Sequence, residues 1–483
     1  MKSYKKYSLF ILLGFGIVYA AISLVNHYLF RTFALDLGAY TNALYDYAHF
    51  QWNDSRAFKA EAENLLADHF DLYLILFSPL SWIFKSYTLL IIQIVFLLLG
   101  GWGIYQYFSL DHKTEKLARW AMIWYLSFFG VFSALAFDYH SNVVAASLLP
   151  WFFYFLRKKQ NLSTVLIFIS IIISKENMSL WMAFVSMGLI WEYRKIKSAR
   201  NLLIVLSLFS FVFFIAVIGW IMPAFSNSGS YPHFHYSVLG NSASEAIINL
   251  LKHPFENIKV LFINHTPNPL GDQVKMEFFI YLWITGFYVL LKKPHYILML
   301  VPVFFQKMFH DNYIFWSTTG QYSIEFVPIM SIGIFLVIAD LKHHYLKKLL
   351  VIGVLLGNIA ISIRVMDNPI ISNDKVRIRF YQKTHYNREF DVGKLHSKLN
   401  EIPQDAIVSA QSPLMPHISW RESVYQFPNI DNAEFIAISS HEVAYPLTLE
   451  QYHQKVDLIK SDTSWKIWYK QEGILIFRKA NDQ

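Results

Sequence analysis

Long apolar runs separated by short polar stretches dominate the chain from Tyr7 to about residue 363. A bilayer core about 30 Å thick needs about 20 apolar residues in a helix, so these runs predict about 11 transmembrane helices. The runs lie near residues 7–28, 87–107, 117–136, 142–156, 162–174, 178–191, 202–222, 277–291, 296–309, 322–339 and 349–363.

A further run, residues 70–84, is short and contains Pro79. Lys and Arg concentrate in the cytoplasmic loops of membrane proteins. If this run lies on the membrane surface and does not cross it, all six basic clusters fall on the cytoplasmic side, so we expect the surface placement. The clusters are Lys2/Lys5/Lys6, Lys113/Lys116/Arg119, Arg157/Lys158/Lys159, Arg194/Lys195/Lys197/Arg200, Lys292/Lys293 and Lys342/Lys347/Lys348. This topology predicts a cytoplasmic N-terminus, outer juxtamembrane helices at 29–84, an outer loop at 223–275 and an extracytoplasmic C-terminus.

Composition supports a membrane protein. Charged residues make up 16% of the chain and hydrophobic residues 55%, whereas soluble proteins are about 25% charged. A soluble enzyme, a disordered chain and a nucleic-acid-binding module are therefore excluded, and the net charge of +8 is explained by the loop clusters. There is no cysteine, which excludes disulfides, thiolate catalysis and cysteine-based metal sites.

The tail, residues 365–483, resembles a small soluble domain. Residues 406–410 and 434–439 are typical of buried strands, Glu472 and Gly473 indicate a hairpin between 465–469 and 474–478, and 447–459 fits a helix. We expect a transmembrane domain at 1–364 and an extracytoplasmic α/β domain at 365–483, large enough to bury a core of its own. The tail contains no nucleophile elbow, P-loop, zinc-protease or kinase motif.

Polar residues between the spans gather at the predicted outer face. Channels and carriers bury such residues at mid-membrane, so this pattern favours chemistry at the outer surface. In the acidic first outer segment, Phe33, Leu37, Tyr40, Leu44 and Tyr47 recur at helical spacing. They predict an amphipathic helix on the membrane with Asp36 at its first turn.

Several local strings follow in a characteristic order along the chain. They are Leu35-Asp36-Leu37-Gly38, Asp68-His69, Ser78-Pro79-Leu80, Gln93, Phe137-Asp138-Tyr139-His140, Ser174-Lys175-Glu176-Asn177, Gln321-Tyr322-Ser323 with Pro328, Val408-Ser409-Ala410-Gln411-Ser412, and Pro416-His417-Ile418-Ser419 with Arg421. Together they resemble a family of bacterial multi-pass membrane proteins known as a domain of unknown function, number two-zero-seven-nine. That family is similar to a branch of the GT-C superfamily of glycosyltransferases. The family usually has Gln at position 42 and Asp at position 177, where this chain has Asn42 and Asn177.

The resemblance implies an α-helical polytopic fold and an enzyme of the bacterial inner membrane. GT-C enzymes use a sugar carried on a polyprenyl phosphate and work on the outer face of the membrane. Their general base is typically an Asp in the first outer loop, which here is Asp36.

Inverting glycosyl transfer needs one carboxylate to deprotonate the acceptor and positive charge or donors for the leaving phosphate. Asp36 is the candidate base, and Asp138 is expected to orient His140 or to hold an acceptor hydroxyl or a divalent ion. Glu325 interrupts an apolar run, where an ionisable residue indicates function. The expected substrate-binding residues are Arg31, His69, Asp138, His140, Lys175, Glu176, Tyr322 and Glu325. The expected partners are a polyprenyl-phosphate-linked sugar, membrane lipid and an unknown acceptor, with a divalent cation left open.

Other interpretations stay open at this stage. Gly100, Gly101 and Gly103 fit a transporter or lipid flippase with broken helices, but also close helix packing. A membrane scaffold whose tail binds a partner is a third hypothesis. His233 and His235 fit aromatic interface anchoring better than metal chelation.

Overall fold

The computed structural model describes residues 2–57, 59, 61–372 and 375–480, with backbone alone at residues 2–4. The prediction for Lys2 therefore lies outside the described side chains. The fold is mostly helical and ends in a small sheet. The helices before the tail are α1 (Lys2–Tyr28), α2 (Ala39–Ala48), α3 (Leu65–Asp68), α4 (Tyr73–Phe77), α5 (Ser81–Phe84), α6 (Thr88–Phe108), α7 (Ala118–Leu126), α8 (Phe129–Leu135), α9 (Ser141–Arg157), α10 (Asn161–Ile172), α11 (Glu176–Glu192), α12 (Lys197–Ala216), α13 (Met222–Phe225), α14 (Ala243–Lys252), α15 (Pro254–Val260), α16 (Val274–Ile284), α17 (Pro294–Leu298), α18 (Val301–Met308), α19 (Phe326–Asp340) and α20 (His344–Asp367).

Each of the predicted apolar runs falls on one or more of these helices. Within the described residues, four helical stretches are long and apolar enough to cross a membrane: Lys5–Tyr28, Tyr73–Phe108, Lys197–Phe225 and His344–Asp367. A bent pair, α7 with α8, would make a fifth. The figure of about 11 spans stays a prediction, because the remaining runs form helices that are short or broken.

Residues 70–84 continue by short helical turns into α6. The stretch from Tyr73 to Phe108 is broken at Lys85, whose φ of 45° and ψ of −125° change the direction of the chain. Its placement on the membrane surface stays a prediction.

The glycines of α6 allow neighbouring helices to approach closely. A Cβ atom on Gly100 would lie 2.2 Å from the hydroxyl of Tyr125, and one on Gly101 would lie 2.7 Å from Leu126. Small residues at such positions let helix backbones pack against each other. This packing accounts for the glycines without a transport path.

Several basic clusters share the helix ends that lie away from the tail. Arg157 at the end of α9 forms an ion pair with Asp111 after α6, and Lys293 pairs with Asp340 at the end of α19. The opposite end of α1 meets the tail, because Tyr28 accepts a hydrogen bond from His396 there. Basic residues at one end of the helices agree with the positive-inside pattern, although the side of the membrane they face stays a prediction.

The tail forms a five-stranded sheet with the strand order β2-β1-β3-β5-β4. Its parts are α21 (Lys375–Ile378), α22 (Val392–Asn400), α23 (Met415–Ile418), α24 (Leu449–Ser461), β1 (Val408–Ala410), β2 (Val424–Gln426), β3 (Phe435–Ser439), β4 (Trp465–Gln471) and β5 (Ile474–Lys479). Strand β1 runs parallel to both β2 and β3, while β5 is antiparallel to β3 and β4. The expected strands, hairpin and helix are present; β2 and α22 were not expected.

The two faces of this sheet have different partners. One face packs on α24 through Ile436, Tyr452 and Phe477. The other face contributes Val408 and Ala437 to a core that also contains residues from the first helices, such as Phe30, Leu37 and Leu44. The tail therefore shares half of its core with the segment after α1. The independent core that the length of the tail predicts is therefore present on one face of the sheet, between the sheet and α24.

The segment after α1 folds into a π-helical turn, Ala34–Gly38, followed directly by α2. The expected helix over residues 33–50 is thus present. Its apolar pattern predicted one covered face, but α2 is buried on most sides because the tail packs over it.

Candidate active site

A cavity of about 610 Å³ lies where several helices end close to the tail. Its walls come from the π-helical turn, the loop before α9, the first turn of α11, the loop before α14 and the turn before α19. Seven of the nine sequence-predicted site residues line it: Asp36, His69, His140, Lys175, Glu176, Tyr322 and Glu325. Asp138 and Arg31 do not line it.

Asp36 is held at the cavity by bonds to its neighbours in sequence. The backbone N–H of Phe33 donates to Asp138 Oδ2 at 2.7 Å, and the N–H of Ala34 donates to Ser412 Oγ at 3.2 Å. No hydrogen bond to the Asp36 carboxylate is found among the described residues. Burial, reinforced by the charge of Asp138, raises the pKa of Asp36 to about 7. A carboxylate with this pKa is poised to accept a proton near neutral pH.

Asp138 is an anchor for this segment rather than a wall of the cavity. Its Oδ1 accepts a hydrogen bond from Arg377 Nη2 at 2.7 Å, and both side chains are buried. The Arg377 guanidinium also lies over the ring of Phe33, 4.8 Å from its centroid. The expectation that Asp138 orients His140 is not met, because its oxygens are engaged with Arg377 and the Phe33 N–H.

Gln93 of α6 fixes the loop that carries His140. Its amide donates to the carbonyl of Asp138 at 2.9 Å and accepts from the N–H of His140 at 2.9 Å. Burial lowers the pKa of His140 well below its usual value, so the ring is neutral. Its Nε2 is buried without a hydrogen-bond partner in the described part of the chain, and the residue lines the cavity.

Lys175, His69 and Glu176 form a chain of contacts across the cavity wall. Nζ of Lys175 lies 3.2 Å from Nε2 of His69, and Nδ1 of His69 lies 3.2 Å from Oε1 of Glu176. Burial and the ammonium of Lys175 lower the pKa of His69. The neutral ring thus accepts from Lys175 and donates to Glu176. Lys175 and Lys307 both line the cavity.

Asp68, His69 and His233 could hold a metal ion. Each offers one ligand atom, and these atoms lie within 4.8 Å of one another. The two imidazole rings are stacked with centroids 4.5 Å apart. Although burial opposes it, the hydrogen bond from His233 to Asp68 raises the pKa of His233. Two imidazoles and a carboxylate suit a zinc-like cation, which would compete with Lys175 for His69 Nε2.

The position of His233 differs from the expected interface anchor. Its Nε2 lies 2.6 Å from the carbonyl oxygen of Asp68, a residue 165 positions away in sequence. Sequence spacing carries no signal for such a contact.

Arg31 is the clearest correction among the expected substrate-binding residues. Its guanidinium donates to the carbonyls of His385 at 2.5 Å and Asn387 at 2.8 Å. The side chain is buried against the tail and fixes the chain there, so it does not reach the cavity.

Amides that sequence reasoning did not assign to the site line the remaining wall. Asn142 donates to Glu325 at 2.9 Å, and Asn177 donates to Gln306 at 2.8 Å. The carbonyl oxygens of Asn142, Asn177 and Gln321 are buried without partners among the described residues. Buried acceptors without a partner are costly. The three amide side chains line the cavity, so this wall suits a polar ligand.

An apolar groove of about 470 Å³ adjoins the cavity. It shares Asn177, Gln306 and Glu325 with the cavity. Its apolar lining comprises Met178, Leu180, Trp181, Phe214, Ile218, Ala246, Ile247, Leu250, Pro302 and Phe305. A polar chamber next to an apolar groove suits a ligand with a charged head and an apolar tail.

Comparisons with known proteins agree with a membrane protein of this fold. Residues 26–476 match the sequence model of a family described as Predicted membrane protein (DUF2079). The crystal structure of ArnT from Cupriavidus metallidurans bound to undecaprenyl phosphate has a TM-score of 0.54 at 9% identity, covering 100% of this chain and 99% of that chain. The apo structure of the same protein has a TM-score of 0.47 at 10% identity, covering 96% and 98%. The curated proteins contain no match. The expected resemblance to the GT-C fold is thus confirmed.

Proposed function

Because the chain belongs to the DUF2079 family of predicted membrane proteins, we propose that it is a membrane glycosyltransferase that uses a polyprenyl-phosphate-linked sugar. It transfers the sugar to an acceptor at the extracytoplasmic face of the bacterial inner membrane, and Asp36 is the general base. The fold shared with a protein crystallised with undecaprenyl phosphate supports this proposal, while function itself is argued from the site.

One observation carries the proposal: the Asp36 carboxylate faces a cavity that also contains Lys175 and His140. Its pKa of about 7 suits proton abstraction, and Lys175 supplies the positive charge that a departing phosphate needs. A carboxylate and a cation that line the same cavity support inverting transfer, which needs a base and positive charge.

The groove supports a lipid-linked donor. With the phosphate beside Lys175 and His69, the prenyl chain extends into the groove between Trp181 and Phe214. The amide side chains of Asn142 and Gln321, which line the cavity, would then contact the sugar hydroxyls.

In the proposed step, the acceptor nucleophile attacks the anomeric carbon while Asp36 takes its proton. The bond from the anomeric carbon to the phosphate oxygen breaks, and the electron pair leaves with the phosphate toward Lys175. A cation held by Asp68, His69 and His233 would add positive charge beside the phosphate, but the step does not need it.

The test measures covalent transfer. Purified protein in nanodiscs is incubated with a panel of polyprenyl-phosphate sugars and a membrane extract as the acceptor source, and free polyprenyl phosphate is quantified by mass spectrometry. Removal of a general base costs about 10²- to 10⁴-fold in rate, so we expect Asp36→Asn to reduce release by this factor. Binding of undecaprenyl phosphate, measured by native mass spectrometry, is expected to persist.

Asp54→Asn is the matched control, because Asp54 is an exposed acid of the same segment. It is expected to retain the wild-type rate. Full activity of Asp36→Asn would refute Asp36 as the base. Uptake of the lipid-linked sugar into sealed vesicles without covalent change would instead support the transporter alternative.

A further inference from the structure

The loop between α13 and α16 contains a helical hairpin, formed by α14 and α15 and here defined as residues 243–263. Its surface is unusually apolar for a loop: Leu251 is 78% exposed and Phe255 is 76% exposed. The large exposed apolar side chains of the hairpin are Ile247, Ile248, Leu251, Phe255, Ile258, Phe262 and Ile263. Patches of this kind on a protein surface mark a contact with a partner or a membrane.

These exposed residues are here called the stripe. On α14, Ile247 and Leu251 are four residues apart, and on α15 Phe255 and Ile258 are three apart, so each pair lies on one side of its helix. This regular spacing distinguishes the stripe from scattered surface residues.

A different side of the hairpin packs inward. Ala246 is buried beside Leu239 and Val260, with Leu250 packed against them. This inner side packs the hairpin against the rest of the protein, and the exposed stripe is a second apolar surface that takes no part in that packing.

Charged residues border this stripe. Glu245, Lys252, Glu256 and Lys259 are all exposed and recur at positions between the apolar residues. An apolar face beside a face with Lys residues is the pattern of a helix that lies in the membrane interface.

The stripe adjoins a helical stretch that is long and apolar enough to span a membrane. Helix α12 belongs to this stretch, and Trp220 at its end is 69% exposed. Phe214 and Ile218 from this stretch line the apolar groove together with Ala246 and Leu250 of the hairpin. The hairpin and the span are thus two walls of one groove, so any lipid that surrounds the span would also reach the hairpin.

We propose that residues 243–263 lie in the bilayer interface, with the stripe among the acyl chains of the leaflet next to the cavity. The occupant of the stripe is lipid, and Lys252 and Lys259 lie among the headgroups. The groove then opens laterally to the bilayer beneath α14. This inference concerns the membrane contact of the loop and stands whether or not Asp36 is a catalytic base.

The chain has no cysteine. A single introduced cysteine can therefore be spin-labelled specifically, and no native cysteine has to be replaced first. Leu251→Cys and Phe255→Cys report the stripe, and Lys252→Cys and Glu256→Cys report the polar side. The full-length protein is placed in nanodiscs of phosphatidylethanolamine and phosphatidylglycerol. Collision rates with oxygen, which concentrates in lipid, and with a water-soluble nickel chelate are then measured by electron paramagnetic resonance.

We expect the ratio of oxygen to nickel collisions to be several-fold higher at positions 251 and 255 than at 252 and 256. All four side chains are exposed, so the substitutions leave the packing intact, which size-exclusion profiles check. Equal ratios at all four positions would place the hairpin in water and overturn the proposal. Low collision rates with both reagents at 251 and 255, with spin–spin broadening between copies, would identify a second copy as the occupant and also overturn it.

Discussion

Asp36 and Asp138 lie on neighbouring segments of the same site but have opposite environments. Asp138 is sealed by Arg377 and the N–H of Phe33, while the Asp36 carboxylate faces the cavity without a hydrogen bond among the described residues. The contacts of Asp138 stabilise the local fold, whereas the carboxylate of Asp36 remains available for proton transfer. The comparison indicates that the buried pair of Asp138 and Arg377 positions the backbone at Phe33, which holds the Asp36 carboxylate at the cavity.

The largest expected effect comes from breaking the sealed pair. Arg377→Met leaves the Asp138 charge buried and unpaired, which costs about 3–5 kcal/mol of stability. We expect a markedly lower melting temperature in detergent, followed by intrinsic fluorescence. Adding Asp138→Asn is expected to restore part of the stability, because it removes the uncompensated charge.

Arg56→Met is the control, since it breaks an ion pair of similar length with Asp431 at 2.8 Å whose partners are exposed. Exposed pairs contribute about 0–1 kcal/mol, so this variant should melt almost as the wild type. Equal melting temperatures for Arg377→Met and Arg56→Met would show that the ion pair between Arg377 and Asp138 does not anchor this segment.

The unpartnered acid gives the second prediction, a dependence of activity on pH. A general base must be ionised, and burial raises the pKa of Asp36 to about 7. Below that pH the ionised fraction falls by about tenfold per unit, so the transfer rate should rise with pH up to about 7 and then level off. Initial rates between pH 5 and 9 check this; a rate that is constant from pH 5 to 8 would contradict it.

Much of the fold follows from local sequence patterns. The apolar runs predict where the helices lie, since each run falls on one or more of them, although some runs are divided between two helices. The hairpin of β4 and β5 follows from the turn at Glu472 and Gly473. What the sequence does not predict is how the tail packs: Arg377 reaches Asp138 across 239 positions, and Ala34 reaches Ser412 across 378.

The candidate site also contains residues that the sequence predicts and residues that only the folded structure reveals. The strings around Asp36, His140 and Lys175 could be recognised because each is contiguous, and the structure brings them to one cavity. Arg31 is equally prominent in sequence, but carbonyls of the tail bind its guanidinium. His233 was missed for the converse reason, since only the folded chain brings it to Asp68.

The smallest expected effect comes from substituting Asn177, a position where the family usually has Asp. It extends the comparison of Asp36 and Asp138 to a third position near the cavity. The amide of Asn177 donates to Gln306 at 2.8 Å, and Asn177 lines both the cavity and the groove. Asn177→Asp would place another negative charge beside the proposed phosphate position. We expect a rise in KM for the lipid-linked donor of about fivefold, equivalent to about 1 kcal/mol, with little change in kcat.

The matched control for this substitution is Asn161→Asp, because Asn161 is an exposed residue at the start of α10. Donor titration of both variants separates KM from kcat. An unchanged KM in Asn177→Asp would mean that the donor phosphate binds away from this residue. A large fall in kcat would mean instead that the added carboxylate acts on the proton transfer at Asp36, so Asp36 and that carboxylate would have to be treated as one coupled group.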